Sequence, residues 1–185
     1  TYAHGFRLVD TSDEAADLLR VGEVRCDLAV VTNSGFVDVG ILGRPGLTRC
    51  SGGLASINPI PSIARVGGKW YLFDGSVSKV IDPVEKTVAD LVASAGDLPT
   101  GMRLAAQYRG ALLVASSREF PAFWALSRRG TDDPTDFDYG ADPIPTAAIA
   151  GSDPDIGEVP DSIVALIPFG SEWMLFGTPR NFYFL

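Results

Sequence analysis

The chain has 185 residues, 46% of them hydrophobic, and a formal net charge of −8 at pH 7. No stretch approaches the ~20 consecutive apolar residues of a membrane-spanning helix. The negative charge disfavours binding to free nucleic acid, because phosphate binding needs clustered cations. Twenty glycines and thirteen prolines punctuate the sequence, which is typical of a β-rich chain with many turns. We therefore expect a folded, β-rich protein with no membrane span.

The first part of the chain holds the best helical candidate, at residues 11–20, where Thr11 can cap the helix and Glu14 lies at capping-box spacing. The alternative is an irregular lead into the first strand. Cys26 and Cys50 follow on different predicted strands. We interpret them as buried apolar side chains, since a disulfide would require the two strands to place them side by side.

A hydrophobic run recurs along the chain at residues 28–32, 70–74, 111–115 and 173–177. The first three copies begin 42 and then 41 residues apart, and the fourth begins 62 residues after the third. A repeat of roughly 40–45 residues, rich in short β runs and glycine turns, is typical of a four-stranded propeller blade. The longer last interval indicates an insertion of about 20 residues before the fourth copy.

Each of the last three copies follows a second apolar run and a short turn, which predicts a β-hairpin. The predicted fold is all-β, with β-propeller-like blades of antiparallel meanders in a single region, at residues 1–60, 61–100, 101–130 and 161–185. We expect these blades to form an incomplete ring, so that the chain is a fragment of a longer protein or neighbouring chains complete the ring. A β-sandwich or two stacked sheets is the alternative, because sandwiches also space strands every 8–12 residues.

The insert at residues 131–160 is rich in proline and aspartate, neither of which suits a central strand. It is predicted to be a long excursion without regular structure, at the surface or at a subunit contact. No lysine or arginine occurs from residue 131 to residue 179. Calcium is the cation that such a loop would bind, but the spacing of its acids differs from the calcium-loop pattern. We favour a solvated acidic loop.

The sequence contains few candidates for catalytic residues. His4 is the only histidine, so a Ser-His-Asp device would have to use it and a histidine-rich zinc site cannot be built. Asp38 and Asp74 are candidates for the paired acids of a glycosidase, but we interpret them as strand-end or turn residues. The sequence therefore predicts no enzyme, and no catalytic, cofactor-binding or metal-binding residue is assigned.

The three tryptophans, Trp70, Trp124 and Trp173, lie inside predicted strands. Stacking on sugar rings would make the chain a carbohydrate-binding or glycoside-hydrolysing β-propeller, which is the alternative function. Core packing is the interpretation that we favour for all three.

Several segments together carry a family resemblance. They are Lys-Trp-Tyr-Leu-Phe-Asp-Gly at 69–75, Val-Ile-Asp-Pro at 80–83, Leu-Pro-Thr-Gly-Met at 98–102, Tyr-Arg-Gly-Ala-Leu-Leu-Val at 108–114, Ser-Arg-Arg-Gly-Thr-Asp-Asp-Pro-Thr-Asp-Phe-Asp-Tyr-Gly at 127–140, Ile-Val-Ala-Leu-Ile-Pro at 163–168 and Trp-Met-Leu-Phe at 173–176. This set resembles the propeller-like virion proteins of tailed bacteriophages, such as tail nozzles and packaged-DNA stabilising components. The resemblance covers roughly residues 60–185, and residues 1–60 match it less well.

The resemblance implies a structural role and no catalysis. It implies a virion component at the tail or the head-tail neck, which acts as a nozzle, a connector or a DNA-retaining plug and is assembled in the host cytoplasm. The partners would be other virion proteins and copies of the chain itself in a symmetric ring. Such a subunit would lie near the DNA channel without specific nucleic-acid binding, which suits the acidic charge.

Overall fold

The computed structural model describes residues 28–31, 35–40, 46–53, 61–130, 133–140, 146–151, 161–169 and 172–185. In these ranges the chain forms β-strands and no helix, so none of the described segments is a helix able to cross a membrane. The predicted helix at residues 11–20 lies outside the described residues, as do His4 and Cys26.

Sixteen short strands follow one another along the described part of the chain. They are β1 (Leu28–Val31), β2 (Val37–Gly40), β3 (Thr48–Arg49), β4 (Ser62–Val66), β5 (Lys69–Phe73), β6 (Ser78–Asp82), β7 (Thr87–Asp90), β8 (Ala95–Gly96), β9 (Leu104–Tyr108), β10 (Ala111–Ala115), β11 (Trp124–Leu126), β12 (Asp136–Phe137), β13 (Ile149–Gly151), β14 (Ala165–Phe169), β15 (Trp173–Gly177) and β16 (Phe182–Phe184).

These strands form four antiparallel sheets in chain order. The first sheet is β1-β2-β3, the second is β4-β5-β6-β7, the third is β9-β10-β11-β13, and the fourth is β14-β15-β16. A separate parallel pair joins β8 to β12. Every sheet is a meander in which each strand pairs with the one before it, apart from the step over β12 in the third sheet. The all-β class predicted from the sequence is therefore confirmed.

Tight hairpins begin the second and third sheets. Gly67 and Gly68 join β4 to β5, and Arg109 and Gly110 join β9 to β10. All four residues have positive φ, at 56°, 79°, 49° and 77° in chain order. Two consecutive positive φ angles define the type I′ turn, whose twist matches that of the strands and which glycine adopts without steric cost. The glycine-bearing turns thus produce the hairpins that the sequence predicted.

Three of the four repeated hydrophobic runs occupy the same position in their sheets. The strands β5, β10 and β15 are each the second strand of a meander and each pair with a strand on both sides. Within the described residues β1 pairs with β2 alone, so the first run does not share that position. The repeated runs therefore occupy equivalent positions in the second, third and fourth sheets, but not in the first.

Apolar cores lie between successive sheets, and the two central strands β5 and β10 each contribute to two of them. Trp70 and Leu72 face the first sheet, whereas the intervening Tyr71 and Phe73 face the third. In β10, Leu112 and Val114 likewise face the second sheet, and the other three residues of the strand face the fourth. A strand that is buried on both faces needs a continuous apolar run rather than an alternating one. The packing explains why the repeated runs are hydrophobic throughout.

The predicted insert contains more structure than the sequence indicated. The strand β13 (Ile149–Gly151) pairs with β11 and completes the third sheet. The side chain of Phe137 on β12 is fully buried in the core between the second and third sheets. The prediction of an irregular surface excursion is therefore wrong for these strands. One local reason is Gly151, whose missing side chain leaves room for the indole of Trp124.

Candidate functional site

The two acids singled out in the sequence lie in different sheets. Asp38 on β2 accepts hydrogen bonds from Arg49 on the paired strand β3, at 2.9 Å from Nε and 3.2 Å from Nη2. The Arg49 guanidinium also lies 4.3 Å from the ring centroid of Phe36. Asp38 is thus a strand residue in a bidentate ion pair at the surface, where it holds two strands together.

Asp74 directly follows β5 and is only 2% exposed. Its Oδ1 accepts hydrogen bonds from the backbone N–H groups of Ser76 and Val77, at 2.8 and 2.7 Å, and from the Ser76 hydroxyl at 2.8 Å. An aspartate that binds the backbone two and three residues ahead forms an Asx-turn. The interpretation of Asp74 as a turn residue is confirmed.

The same turn follows the central strand in two further sheets. Ser117 after β10 and Thr178 after β15 are buried like Asp74. In all three turns the side-chain oxygen accepts a hydrogen bond from the N–H three residues ahead, at 2.7, 2.8 and 3.0 Å in chain order. The backbone N–H of the first residue donates to the carbonyl of that same later residue. A short polar side chain at this position is therefore a repeated structural feature of the fold.

The remaining sequence candidates give no metal or nucleophile site in the described part of the chain. Cys50 is buried in the core between the first and second sheets, as expected for an apolar cysteine. Across the described ranges, no three histidine, cysteine, aspartate or glutamate side chains are grouped so that they could hold a metal ion. His4 and Cys26 lie outside those ranges.

The acids of the insert that the structure describes are used in local turns and one ion pair. Asp133 binds the hydroxyl and backbone N–H of Thr135, at 2.6 and 2.9 Å. Asp136 lies 2.9 Å from Nε of Arg128, and both side chains are largely buried. The ion pair with Arg128 places part of the acidic segment beside the third sheet rather than in a fully solvated loop.

The three tryptophans differ in their environment. Trp70 and Trp124 are buried, and the ring of Trp124 packs against Phe176 at a centroid distance of 5.7 Å. Trp173 at the start of β15 is 54% exposed and contacts Phe184 edge-on, at 6.3 Å between centroids. Core packing is confirmed for the first two tryptophans and wrong for Trp173.

Trp173 belongs to a wider apolar surface. We call it the outer face of the fourth sheet, the side turned away from the third sheet, and its members are Ile167, Phe169, Trp173, Leu175, Phe182 and Phe184. Phe169, Phe182 and Phe184 are between 65% and 68% exposed. Cross-strand pairing joins Phe169 to Trp173 and Leu175 to Phe184. The opposite side of the sheet, with Met174 and Phe176, packs on the third sheet.

The sequence itself carries a signal for two of these phenylalanines, Phe182 and Phe184. In the run Phe-Tyr-Phe-Leu at residues 182–185, the two phenylalanines alternate with Tyr183 and Leu185, which are also largely apolar. Because successive side chains of a strand point to opposite faces, such a run predicts a strand that is apolar on both faces. Tyr183 and Leu185 pack on the core, and the phenylalanines form the exposed face.

A cleft of about 430 Å³ separates the second sheet from the start of the described insert. Tyr71, Lys69 and Asp133 line it. Burial, together with the nearby charges of Asp133 and Asp82, raises the pKa of Tyr71 to about 12. Burial tends to raise the pKa of Asp133, but hydrogen bonds from Ser94 and Thr135 outweigh it, and the pKa is lowered. Near neutral pH the cleft thus presents a neutral phenol and a carboxylate.

A second cleft, of about 260 Å³, lies between the third and fourth sheets. At its edge the Tyr108 hydroxyl is 2.9 Å from the carbonyl oxygen of Glu172 and 3.2 Å from that of Leu185. Nη2 of Arg109 lies 2.6 Å from Oε2 of Glu172. These polar groups join the two sheets to each other, so their contacts are structural.

No protein-family model matches the chain, and no curated protein sequence matches it. Within the described residues, the candidate functional feature is the outer face of the fourth sheet.

Proposed function

We propose that the chain is a structural component of a tailed-bacteriophage virion, at the tail or the head-tail neck, and that it has no catalytic activity. In this proposal the four sheets are propeller-like blades. The observation that carries it is the repeated geometry of β5, β10 and β15, each a second strand that ends in the same side-chain-capped turn. Repetition of one meander along a chain is how propellers are built.

The order of packing supports the blade interpretation. Each apolar core is shared by two sheets that are consecutive in the chain. A propeller requires this neighbour-to-neighbour order, whereas two stacked sheets enclose a single core between them. Among the described residues, no apolar core contains side chains of both the first and the fourth sheet, which suits an incomplete ring.

The role of the candidate acids supports a structural function. Asp38 is held by Arg49, and Asp74 is buried in a turn whose counterparts are a serine and a threonine. A catalytic acid has to reach a substrate. Because Ser117 and Thr178 occupy the position of Asp74 in the equivalent turns, backbone hydrogen bonding alone explains why a polar side chain is found there.

The resemblance and the net charge support the virion position in this proposal. A nozzle, a connector or a DNA-retaining plug contacts other virion proteins and copies of itself, and such a subunit lies beside the DNA channel. A chain of net charge −8 gains little from counterion release on DNA, so packaged DNA would pass without adhering.

Analysis of purified phage particles tests this proposal. Mass spectrometry of gradient-purified particles is expected to find the chain in several copies per particle. Gold-labelled antibody raised against the purified chain should mark the tail or the neck, and pre-immune antibody is the control. The proposal is wrong if the chain is absent from the particles and occurs only in the soluble fraction of infected cells.

One observation favours a second candidate function, a carbohydrate-binding propeller. Trp173 is exposed beside Phe184, and exposed aromatic rings can stack on sugars. A glycan array separates the two functions. Retention of a glycan by the natural chain, lost in Trp173→Ala and kept in Phe120→Ser, would favour carbohydrate binding; no retained glycan would remove this candidate.

A further inference from the structure

The cleft between the second sheet and residues 133–135, which we call the insert cleft, is large enough to hold a ligand. Its volume of about 430 Å³ lies within the ~300–1,000 Å³ that is usual for ligand sites. Val80, Leu91 and Pro134 supply apolar lining. The backbone N–H of Ser94 donates to the carbonyl of Thr135 at 3.1 Å, which ties the insert wall to the segment that follows the second sheet. The fold therefore holds both walls of the cleft in place.

Tyr71 presents a polar group to this cleft. The residue is only 3% exposed and lines the cleft. Among the residues that the structure describes, its hydroxyl has no hydrogen-bond partner. A buried hydroxyl without a partner is unfavourable. A ligand that forms a hydrogen bond with Tyr71 would remove this cost.

The charges around the Tyr71 hydroxyl favour a cationic ligand. The carboxylates of Asp133 and Asp82 both act on Tyr71. Nζ of Lys69 lies 3.3 Å from Oδ2 of Asp82, and the Lys69 charge also acts on Asp133. The hydrogen bonds that Asp133 accepts come from uncharged serine and threonine groups, so they leave its charge in place. Two carboxylates and one ammonium group leave one excess negative charge, to which a cation is complementary.

Arginine has the chemistry that this cleft requires. Its guanidinium carries several N–H donors, so it can bind the Asp133 carboxylate and the Tyr71 oxygen at the same time. It is also more weakly hydrated than an ammonium group, which suits a partly buried site. The methylene stem can pack on the apolar lining.

The rim of the cleft favours an arginine that belongs to a longer chain. Val92 lines the cleft and is 74% exposed, so residues that flank the arginine would cover it. We infer that the insert cleft binds an arginine side chain within a segment of a partner protein. This site does not depend on the proposed virion function, because only the purified chain is needed to form it.

Nuclear magnetic resonance titration of the ¹⁵N-labelled chain with the peptide acetyl-Ala-Arg-Ala-amide tests the site. The amide signals of Tyr71, Leu91 and Thr135 are expected to shift and to saturate, with a dissociation constant on the order of 1 mM. The same peptide with citrulline in place of arginine keeps the shape and loses the charge, so it should give no saturating shifts. Peptides with lysine in place of arginine, or without the flanking alanines, should bind more weakly.

Variants of the chain test the charges. Asp133→Asn keeps an oxygen that can accept the Thr135 hydrogen bonds but removes the charge, and it should weaken binding by roughly fivefold or more. Lys69→Met removes the competing cation and should tighten binding by about twofold or more. Glu119→Gln is the matched control, because Glu119 is exposed outside the cleft and the change in charge is the same as in Asp133→Asn. The spectra of the unbound variants check that each one is folded.

Four outcomes would overturn the proposal. The first is a titration in which the cleft signals do not saturate, and the second is a citrulline peptide that binds as well as the arginine peptide. The third is a folded Asp133→Asn variant whose affinity is unchanged, or falls no more than that of Glu119→Gln, which would show attraction to the acidic chain as a whole. The fourth is equal binding of the arginine derivative without flanking alanines, which would make the cleft a site for a small free cation.

Discussion

The turn at Asp74 gives a quantitative test of the repeated blade geometry. Replacing Asp74 by alanine removes the acceptor for two backbone N–H groups, those of Ser76 and Val77. Leaving a buried donor without a partner costs ~1–3 kcal/mol. Because this turn is only partly buried, we take the lower half of that range for each donor. Asp74→Ala is therefore expected to lower the free energy of unfolding by about 2–4 kcal/mol.

Serine at position 74 should behave differently. Ser117 fills the equivalent position in the third sheet and keeps the hydrogen bond to the residue three ahead. Oδ2 of Asp74 is buried and has no hydrogen-bond partner among the residues that the structure describes, and serine has no such atom. Asp74→Ser is thus expected to cost about 1 kcal/mol or less.

Urea unfolding followed by far-UV circular dichroism measures both differences, and an unchanged slope with urea shows that the folded states are comparable. Asp90→Ala is the control, because the Asp90 carboxylate is exposed and should contribute little. The reasoning is refuted if Asp74→Ala loses no more stability than this control, or if Asp74→Ser loses as much as Asp74→Ala.

Three further predictions concern the core, the alkaline titration and DNA. Phe137→Ala should lower the free energy of unfolding by about 3–5 kcal/mol, since Phe137 is fully buried; a loss as small as that of the exposed-site variant Phe120→Ala would contradict its place in the core. The pKa of Tyr71 is about 12 in the folded protein and near 10 in the unfolded chain, so the unfolded state ionises first as the pH rises. The contribution of Tyr71 to stability is therefore complete below ~pH 10 and is lost as the pH rises towards 12. Urea unfolding at both ends of this interval should show a smaller loss in Tyr71→Phe, and an equal loss would contradict the assignment. In a low-salt gel-shift assay the natural chain should leave duplex DNA unshifted, and tight binding would refute the electrostatic reasoning.

The central strands could be predicted from the sequence because their signal is local. A continuous apolar run such as Trp70 to Phe73, joined to an earlier run by Gly67-Gly68, defines both a strand and its hairpin partner. The same holds for β10, whose turn contains Gly110. Neighbouring strands in a meander are close in sequence, so turn chemistry and hydrophobicity suffice.

The last strand of the third sheet could not be found in this way. The strand β13 has only three residues, too few to show the alternation of apolar and polar side chains that marks a strand. Its partner β11 lies more than 20 residues earlier in the chain. Phe137 lies between two aspartates in the sequence, which suggests an exposed loop. Only the packing of the folded chain shows that its ring enters a core. Local composition therefore predicted an excursion where long-range pairing forms a strand and a core anchor.

Exposure of Trp173 was missed for a related reason. The run from Trp173 to Phe176 has the pattern of a strand that is covered on both faces. The sequence pattern identifies such a strand, but it does not show whether the same chain supplies a neighbouring sheet for each of its two faces. In the fourth sheet only one face is covered by the described residues, which turns a predicted core residue into part of a candidate interface.

Cryo-electron microscopy of the phage particle that contains this chain is the decisive test of the proposed virion role. We expect a symmetric feature at the tail or the neck into which the second, third and fourth sheets fit as successive blades. In that density β5, β10 and β15 should occupy equivalent positions, with the turns at Asp74, Ser117 and Thr178 at the same end of each blade. Density in which these three strands belong to one continuous sheet, or tail and neck density that accommodates no copy of the chain, would contradict the account.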